Sequence, residues 1–259
     1  MTCKGHVPSE GSYLKLLITD ISTTVDNPIS NAKALAIIRN VCRARPEGYQ
    51  HMPKFRNHQW DGYISLMHTL TSFPTGLLNI VLDALDAHGY CIELEYIDTY
   101  TGYPKPITYD TLTGITLRDY QIQAACSMLT SKRGIVKMAT NSGKTEVFAA
   151  VLKSINSNGI VIVHTKDLLY QTAERLRNRG LDDVGIIGDG VYTPGKTTVA
   201  MIQTLHNRIN TLDFHDNAVL IADECHHVSS SLMLDVFKAI PGSYRFGLSG
   251  TPLKYVSLS

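Results

Sequence analysis

A chain of 259 residues with 44% hydrophobic and 18% charged side chains can build the cores of two ordinary domains, and long disorder is excluded. No apolar run approaches the roughly 18 residues needed to span a bilayer, and the opening MTCKGHVPSE has no apolar leader stretch. The formal net charge of +1 does not mark a polyanion binder, and five scattered cysteines without a C-x-x-C pair are those expected of a reduced, cytoplasmic protein.

Charge distribution says more than the total. Lys33, Arg39, Arg43, Arg45, Lys54 and Arg56 face the single acid Glu47, whereas residues 83–110 hold six acids and only Lys105. One basic and one acidic face can steer a polyanion, or can be two solvated surfaces.

In chain order, residues 13–22 are apolar and β-branched enough for a strand, ended by Asn27-Pro28. Ser30 or Asn31 can cap a helix whose buried stripe is Ala34, Leu35, Ile37, Ile38 and Val41. Residues 49–73 predict a β-hairpin turning near Asn57 and Asp61-Gly62. A second helix spans 76–88 and stops at Gly89, and a strand spans 90–97. The order β-α-β-β-α-β makes residues 1–100 a small α+β domain. Residues 101–114, rich in Gly, Pro and Thr, read as a linker.

From 115 to 259, short apolar strands alternate with helices. Strands are expected at 134–138, 160–164, 184–187, 198–202, 219–222 and 245–248, and helices near 116–131, 144–156, 166–180 and 229–239. That alternation predicts an α/β lobe with a mainly parallel sheet, covered on both faces, with ligands at the carboxyl ends of its strands.

The strand GIVKM runs through ATNSGKT into a helix, the context a phosphate-binding loop requires. Backbone N–H groups around Thr140, Asn141, Ser142 and Gly143 would cradle phosphates, Lys144 would reach the β- and γ-phosphates, and Thr145 would ligate Mg2+. Met138 stands where the pattern has its first glycine; Asn141 stands where glycine is common, and tolerates left-handed backbone. Asp223-Glu224 closes the strand VLIA. Beside the phosphates, Asp223 would hold the metal and Glu224 would deprotonate the attacking water; the competing reading is a solvated strand end. Cys225-His226-His227 are adjacent and point apart, which argues against zinc.

These residues resemble superfamily 2 helicases of the DExH type. Residues 138–145 are similar to motif I, Asp223-Glu224-Cys225-His226 to motif II and Leu248-Ser249-Gly250-Thr251-Pro252 to motif III. Leu117-Arg118-Asp119-Tyr120-Gln121 resembles the Q-type motif, which implies ATP contact by Arg118 and Gln121, with Gln121 on the adenine edge. The resemblance also implies a RecA-like lobe, ATP and Mg2+ as ligands, and coupling through His226, Ser249 and Thr251. DNA contact is implied at Thr165 and Lys166, in the place of motif Ia, and at Gln203 and Thr204. His58-Gln59-Trp60-Asp61-Gly62 looks like the N-terminal domain of phage UvsW-type helicases, which act on branched DNA. There Lys54 and Arg56 would meet phosphates and Trp60 a base, against a reading in which Trp60 and Phe55 are core. Arg175, Arg177 and Arg179 are expected on a solvated helical face.

The family continues into a second RecA-like lobe, so the chain is expected to be an N-terminal fragment, nearly inactive as an ATPase alone. The alternatives are a DExH RNA helicase, a restriction-system motor and a non-catalytic DNA-binding module.

Overall fold

The computed structural model describes residues 13–46, 48–97, 102–139, 141–213, 217–225 and 230–250. The chain forms two compact units, one built on Met1–Asp98 and one on Thr99–Leu253. Among the described residues no helix is long and apolar enough to cross a membrane.

The first unit runs β1 (Tyr13–Ile18), β2 (Ser22–Val25), α1 (Ala32–Val41), β3 (Arg43–Ala44), α2 (Pro53–Arg56), β4 (Ile64–Ser65), β5 (Ser72–Pro74), α3 (Leu78–Ala87) and β6 (Cys91–Tyr96). Its sheet has the order β5-β2-β1-β6, with β6 parallel to β1. Alternate β1 residues, Leu14 and Leu16, meet Ala34, Leu35 and Ile38 of α1 and Val81 and Leu85 of α3 in one core. The sequence 13–22, expected as one strand, is two. The Thr19 hydroxyl accepts the Ser22 N–H at 3.0 Å, and the Thr19 N–H reaches the Ser22 carbonyl at 2.9 Å, folding the chain back. The hairpin expected over 49–73 is also replaced. Pro53 opens the short helix α2, where its missing N–H costs nothing, and β4 pairs with β3 instead. Gly89 ends α3 in left-handed conformation (φ 76°) as its sequence position predicts.

The second unit runs α4 (Asp119–Ser131), β7 (Arg133–Lys137), α5 (Lys144–Ile155), β8 (Asn158–Val163), α6 (Lys166–Asn178), β9 (Val184–Gly188), β10 (Val191–Thr193), β11 (Thr197–Met201), α7 (Ile202–Arg208), β12 (Asn217–Ala222), α8 (Ser230–Ala239) and β13 (Tyr244–Ser249). The seven strands are ordered β10-β9-β11-β8-β12-β13-β7, and every pairing except β9–β10 is parallel. Val161, Val163, Val219 and Ile221 enter the core on one face; Ile160, Ile162, Leu220 and Ala222 enter the core on the other. This two-sided burial is why the strands read as continuous apolar runs.

Two elements of the second unit are not predicted by its sequence pattern. Strand β10 is only three residues long and follows a two-residue turn, Asp189-Gly190, with positive φ at both positions. Helix α7 has two buried residues, Ile202 and Leu205, too few to show a period. The segment expected as a linker lacks helix and strand in its described part, yet it packs on the second unit. Ile107 and Leu112 are buried in that core. The Lys105 N–H donates to the Ser154 carbonyl at 2.8 Å, the Ser154 hydroxyl to the Lys105 carbonyl, and the Thr113 N–H to the Arg179 carbonyl at 3.1 Å. Gly and Pro exclude regular structure there without excluding apolar anchors.

Candidate nucleotide-binding site

The loop between β7 and α5 sits at the carboxyl edge of the sheet. Asn141 is left-handed (φ 62°), as is Gly143 (φ 78°), the N-cap of α5. The Ser142 hydroxyl donates to the Ala139 carbonyl at 2.6 Å, tightening the turn. The left-handed backbone favours glycine at 143, and a Cβ there would also displace the Gln121 amide. Met138, in the place of the pattern's first glycine, donates its N–H to the Ser249 carbonyl at 3.1 Å and stays in the strand ladder. The turn therefore begins one residue later, and a side chain is tolerated at 138.

Lys144 opens α5 and is 9% exposed, with Thr145 half-buried behind it. At the tip of β12, Asp223 is 8% exposed and donates its N–H to the Ile162 carbonyl at 2.9 Å. Glu224 turns back in left-handed conformation (φ 45°), its N–H held by Asp223 Oδ1 at 3.0 Å. Lys144 Nζ donates to Glu224 Oε1, and the Gly250 N–H reaches Glu224 Oε2 at 3.4 Å. The first turn of α5, the end of β12 and the residue after β13 thus meet on one carboxylate. Burial pushes the Asp223 carboxyl above its ordinary range; the Lys144 charge pulls it down and the Glu224 charge adds to the rise.

Gln121 is buried, and both ends of its amide are engaged. Its Oε1 accepts the Arg118 N–H at 2.9 Å, and its Nε2 donates to the Ser142 carbonyl at 3.2 Å. Tyr120 Oη donates to the same carbonyl at 2.8 Å and accepts from Arg118 Nη1 at 3.1 Å. The segment 118–121 therefore braces the loop, and Tyr120 joins it. Ser249 is buried at the end of β13. Thr140, His226 and Thr251 lie outside the described residues.

Along the same sheet edge, Thr165 caps α6 by accepting the Leu168 N–H at 3.3 Å, and Gln203 and Thr204 sit on the first turn of α7. The preceding strands are parallel neighbours, Met201 opposite Val163. Lys166 is exposed and pairs with Asp189 Oδ2 at 2.8 Å, where the Tyr170 hydroxyl also donates at 2.8 Å. Those bonds, from Lys166 first and then Tyr170, hold the Asp189 carboxyl below its usual range.

Arg175 and Arg177 are exposed on α6, as expected, and Arg179, its C-cap, is half-buried, yet all three are engaged. Arg175 Nε donates to Glu146 Oε1 at 2.8 Å and its Nη2 to Oε2 at 3.1 Å; Arg179 Nη2 reaches Oε1 at 3.4 Å, and Arg177 Nη2 donates to the Val184 carbonyl at 2.7 Å. Glu146 is the partner of Arg175 and Arg179, a residue the sequence pattern hid because it sits at a polar position one place beyond the GKT signature.

In the first unit Lys54 and Arg56 are exposed on α2, and Trp60 is half-buried with its indole N–H on the Tyr63 carbonyl at 2.6 Å. The neighbouring aromatics pack among themselves and with arginines. Phe55 meets Tyr49 edge to face at 4.9 Å, while Arg43 and Arg45 lie 4.1 and 4.3 Å from the Tyr63 ring centre.

The family profile described as type III restriction enzyme, res subunit, matches residues 114–254, more than half of the 259-residue chain. The chain belongs to that family. A second profile, DNA helicase UvsW, N-terminal, matches residues 15–95 of this res-subunit-family chain. Together they make it a superfamily 2 helicase that resembles UvsW. It is 37% identical over 153 residues to "DNA 3'-5' translocase XPB2" of Sulfurisphaera tokodaii, covering 58% of this chain and 33% of the relative. It is 25% identical over 240 residues to "ATP-dependent DNA helicase uvsW" of Enterobacteria phage T4, covering 83% and 47%. The crystal structure of the UvsW helicase from bacteriophage T4 shares its fold, with a TM-score of 0.72 at 20% identity over 92% of each chain. The RecA-like α/β lobe is therefore the observed fold. The chain spans about a third to a half of the length of these two curated relatives.

Proposed function

We propose that this chain carries the ATP-binding lobe and the substrate-recognition domain of an ATP-driven motor that remodels branched or forked DNA. The observation that carries the reading is the meeting of Lys144, Asp223 and Glu224 at one sheet edge, with Lys144 and Gly250 both bonded to Glu224.

The donor set fits a metal-bound triphosphate. The left-handed turn at Asn141 and Gly143 leads into α5, whose first-turn N–H groups lack intrahelical partners. The Lys144 ammonium would bind the β- and γ-phosphates, and the Thr145 hydroxyl and Asp223 carboxylate would hold Mg2+, both hard oxygen donors. Bound there, Mg2+ would neutralise phosphate charge as it develops. Before turnover Lys144 must leave Glu224 for the phosphates, which frees the Glu224 carboxylate. Glu224 then takes a proton from water as the oxygen bonds to the γ-phosphorus and the bond to the β-phosphate oxygen breaks. Gly250 and Ser249 report the state of Glu224 to β13, a route for coupling in which His226 and Thr251 would take part. A second RecA-like lobe would complete the site.

DNA would run along the sheet edge past Thr165, Lys166, Gln203 and Thr204, whose hydroxyl, amide and ammonium groups suit sequence-independent contact with phosphates. Lys54, Arg56 and Trp60 of the first unit would contact the branch. With a phage relative, the expected place of action is the host cytoplasm. The restriction-motor alternative has the family description in its favour, but the match of residues 15–95 to a UvsW N-terminal profile supports the branched-DNA reading.

Titrating this chain with forked DNA, linear duplex and an RNA hairpin of matched length, with and without ATP, tests the reading. Tightest binding to the fork supports it; a preference for RNA overturns it.

A further inference from the structure

Glu146 presents an electrostatic problem. It is the third residue of α5 and 4% exposed, an anion placed against a turn whose proposed ligand is a polyanion. Its Oε2 lies 3.2 Å from where a Cβ on Gly143 would stand, with Gln121 Nε2 at 2.3 Å from the same point, so the turn is held between an amide and a carboxylate. A bare carboxylate there would repel phosphate, with little water to screen it.

Arg175 of α6 and Arg179 at its C-cap resolve this. Arg175 grips Glu146 with a two-pronged fork and Arg179 adds a third bond to it. Two cations around one anion leave the cluster with net charge +1. Neither arginine has a second carboxylate partner among the described residues, and Arg179 Nε is buried without a hydrogen bond. The other end of the arrangement is equally fixed, since the Arg179 carbonyl accepts the Thr113 N–H and α6 begins at Lys166, next to its cap Thr165. The helix that would carry the DNA contacts is thereby bolted to the phosphate turn.

We infer that Arg175 and Arg179 are positioning residues that set nucleotide affinity through Glu146, which gathers their two positive charges beside the phosphate-binding turn. The inference rests on the ATP-site reading of Lys144. It makes a signed prediction that simple packing does not. Glu146→Gln removes the anion and leaves both cations, so a fluorescent ADP analogue should bind this chain about 5-fold tighter. Arg175→Ala with Arg179→Ala leaves the anion bare and should weaken binding roughly 10-fold or more. Arg175→Lys keeps the charge and should stay within about 3-fold of the parent.

Nucleotide titration of these variants, with thermal unfolding recorded alongside, decides the matter. Loss of the pairing should lower the melting temperature in both Glu146→Gln and the double variant, while nucleotide affinity moves in opposite directions. Weaker binding in both, in proportion to lost stability, overturns the inference, as does unchanged affinity in both. Should the double variant fail to fold, Arg179→Met alone gives the same sign test against Glu146→Gln. Lys144→Ala is the control. If the parent binds no analogue, or binds it as well after Lys144→Ala, the ATP-site reading fails and this inference with it; a wrong sign at Glu146 with a sensitive Lys144 overturns the inference alone.

Discussion

Lys144 Nζ donates to Glu224 Oε1 across 80 positions of sequence, joining the first turn of α5 to the end of β12. The pair is mostly buried, at 9% and 21% side-chain exposure. Each partner shields the other's charge, and the proposed chemistry needs each to be released. Lys144→Ala should therefore abolish binding of a fluorescent ATP analogue, a loss of roughly a hundredfold or more for a buried charge-assisted contact. Glu224→Gln should keep or tighten that binding. With a second lobe supplied, its turnover should fall by about 10²–10⁴-fold, the usual worth of a general base. Unchanged turnover would remove Glu224 from its role.

Gly143 is held by its left-handed backbone, and a Cβ there would also push on the Gln121 amide. Gly143→Ala should strain the turn by about 1–3 kcal/mol and displace either Gln121 or the loop. A chemical denaturation midpoint that falls together with loss of nucleotide binding is the expected pair of results. A normal midpoint with normal binding would mean that the turn opens without Gln121.

The surface pair of Lys166 and Asp189 has a defined pH window. The side-chain bond from Lys166, then that from Tyr170, lowers the Asp189 carboxyl below its ordinary 3.8, and the bond to Asp189 raises Lys166 above its ordinary 10.5. A depressed acid contributes stability above its ordinary value and loses it as pH falls through the lowered one. A raised base contributes below its ordinary value and loses that as pH rises through the raised one. The pair therefore persists across the whole neutral range, and NMR titration of the Asp189 carboxyl should give a midpoint below 3.8 that Lys166→Met moves upward. In the proposed DNA contact, phosphate would compete with Asp189 for Lys166, so Asp189→Asn should tighten DNA binding, most visibly at low salt.

Burial pushes the Cys42 thiol to about 11, from an ordinary 9.0. Any stability contribution from that shift is complete below 9.0 and lost as pH rises through about 11. At pH 8 Cys42 is a neutral thiol inside the first unit's core, whereas Cys126 is exposed. Iodoacetamide should label Cys126 within minutes and Cys42 only after unfolding. Equal rates in the native protein would mean that the core of the first unit opens locally.

Much of the second unit was legible because its physics is repetitive. Strands buried on both faces, such as Asn217–Ala222, are apolar throughout, and a phosphate-binding turn needs glycine and lysine at fixed places. What stayed hidden depended on partners distant in sequence. Glu146 and Arg175 are unremarkable polar positions until folding brings them together 29 residues apart. Ile107 and Leu112 sit in a Pro- and Gly-rich stretch whose composition speaks only of missing hydrogen-bond ladders, and says nothing of burial. In the first unit the ten-residue helices α1 and α3 carried their period, and the elements that stayed hidden are too short to carry one. Strands β3 and β4 have two residues each, and a threonine turn that splits one strand into two leaves the apolar pattern intact.

The role in DNA binding proposed for the first unit can be tested through which side chains are already occupied. Lys54 and Arg56 are exposed on α2, whereas Trp60 spends its indole N–H on Tyr63, and Tyr63 lies against Arg43 and Arg45. Replacing Lys54 and Arg56 together by alanine should weaken fork binding and lower the slope of log affinity against log salt by about two, one for each phosphate no longer neutralised. Trp60→Phe keeps a ring for stacking but loses the indole N–H bond to the Tyr63 carbonyl, so it should cost about 0.5–1.5 kcal/mol of stability with fork affinity unchanged. If Trp60→Phe instead weakens the fork at full stability, the indole itself reaches the DNA. If the double alanine variant binds as before with the same salt slope, α2 is a solvated face and the branch must be held elsewhere in the basic stretch that includes Arg43 and Arg45.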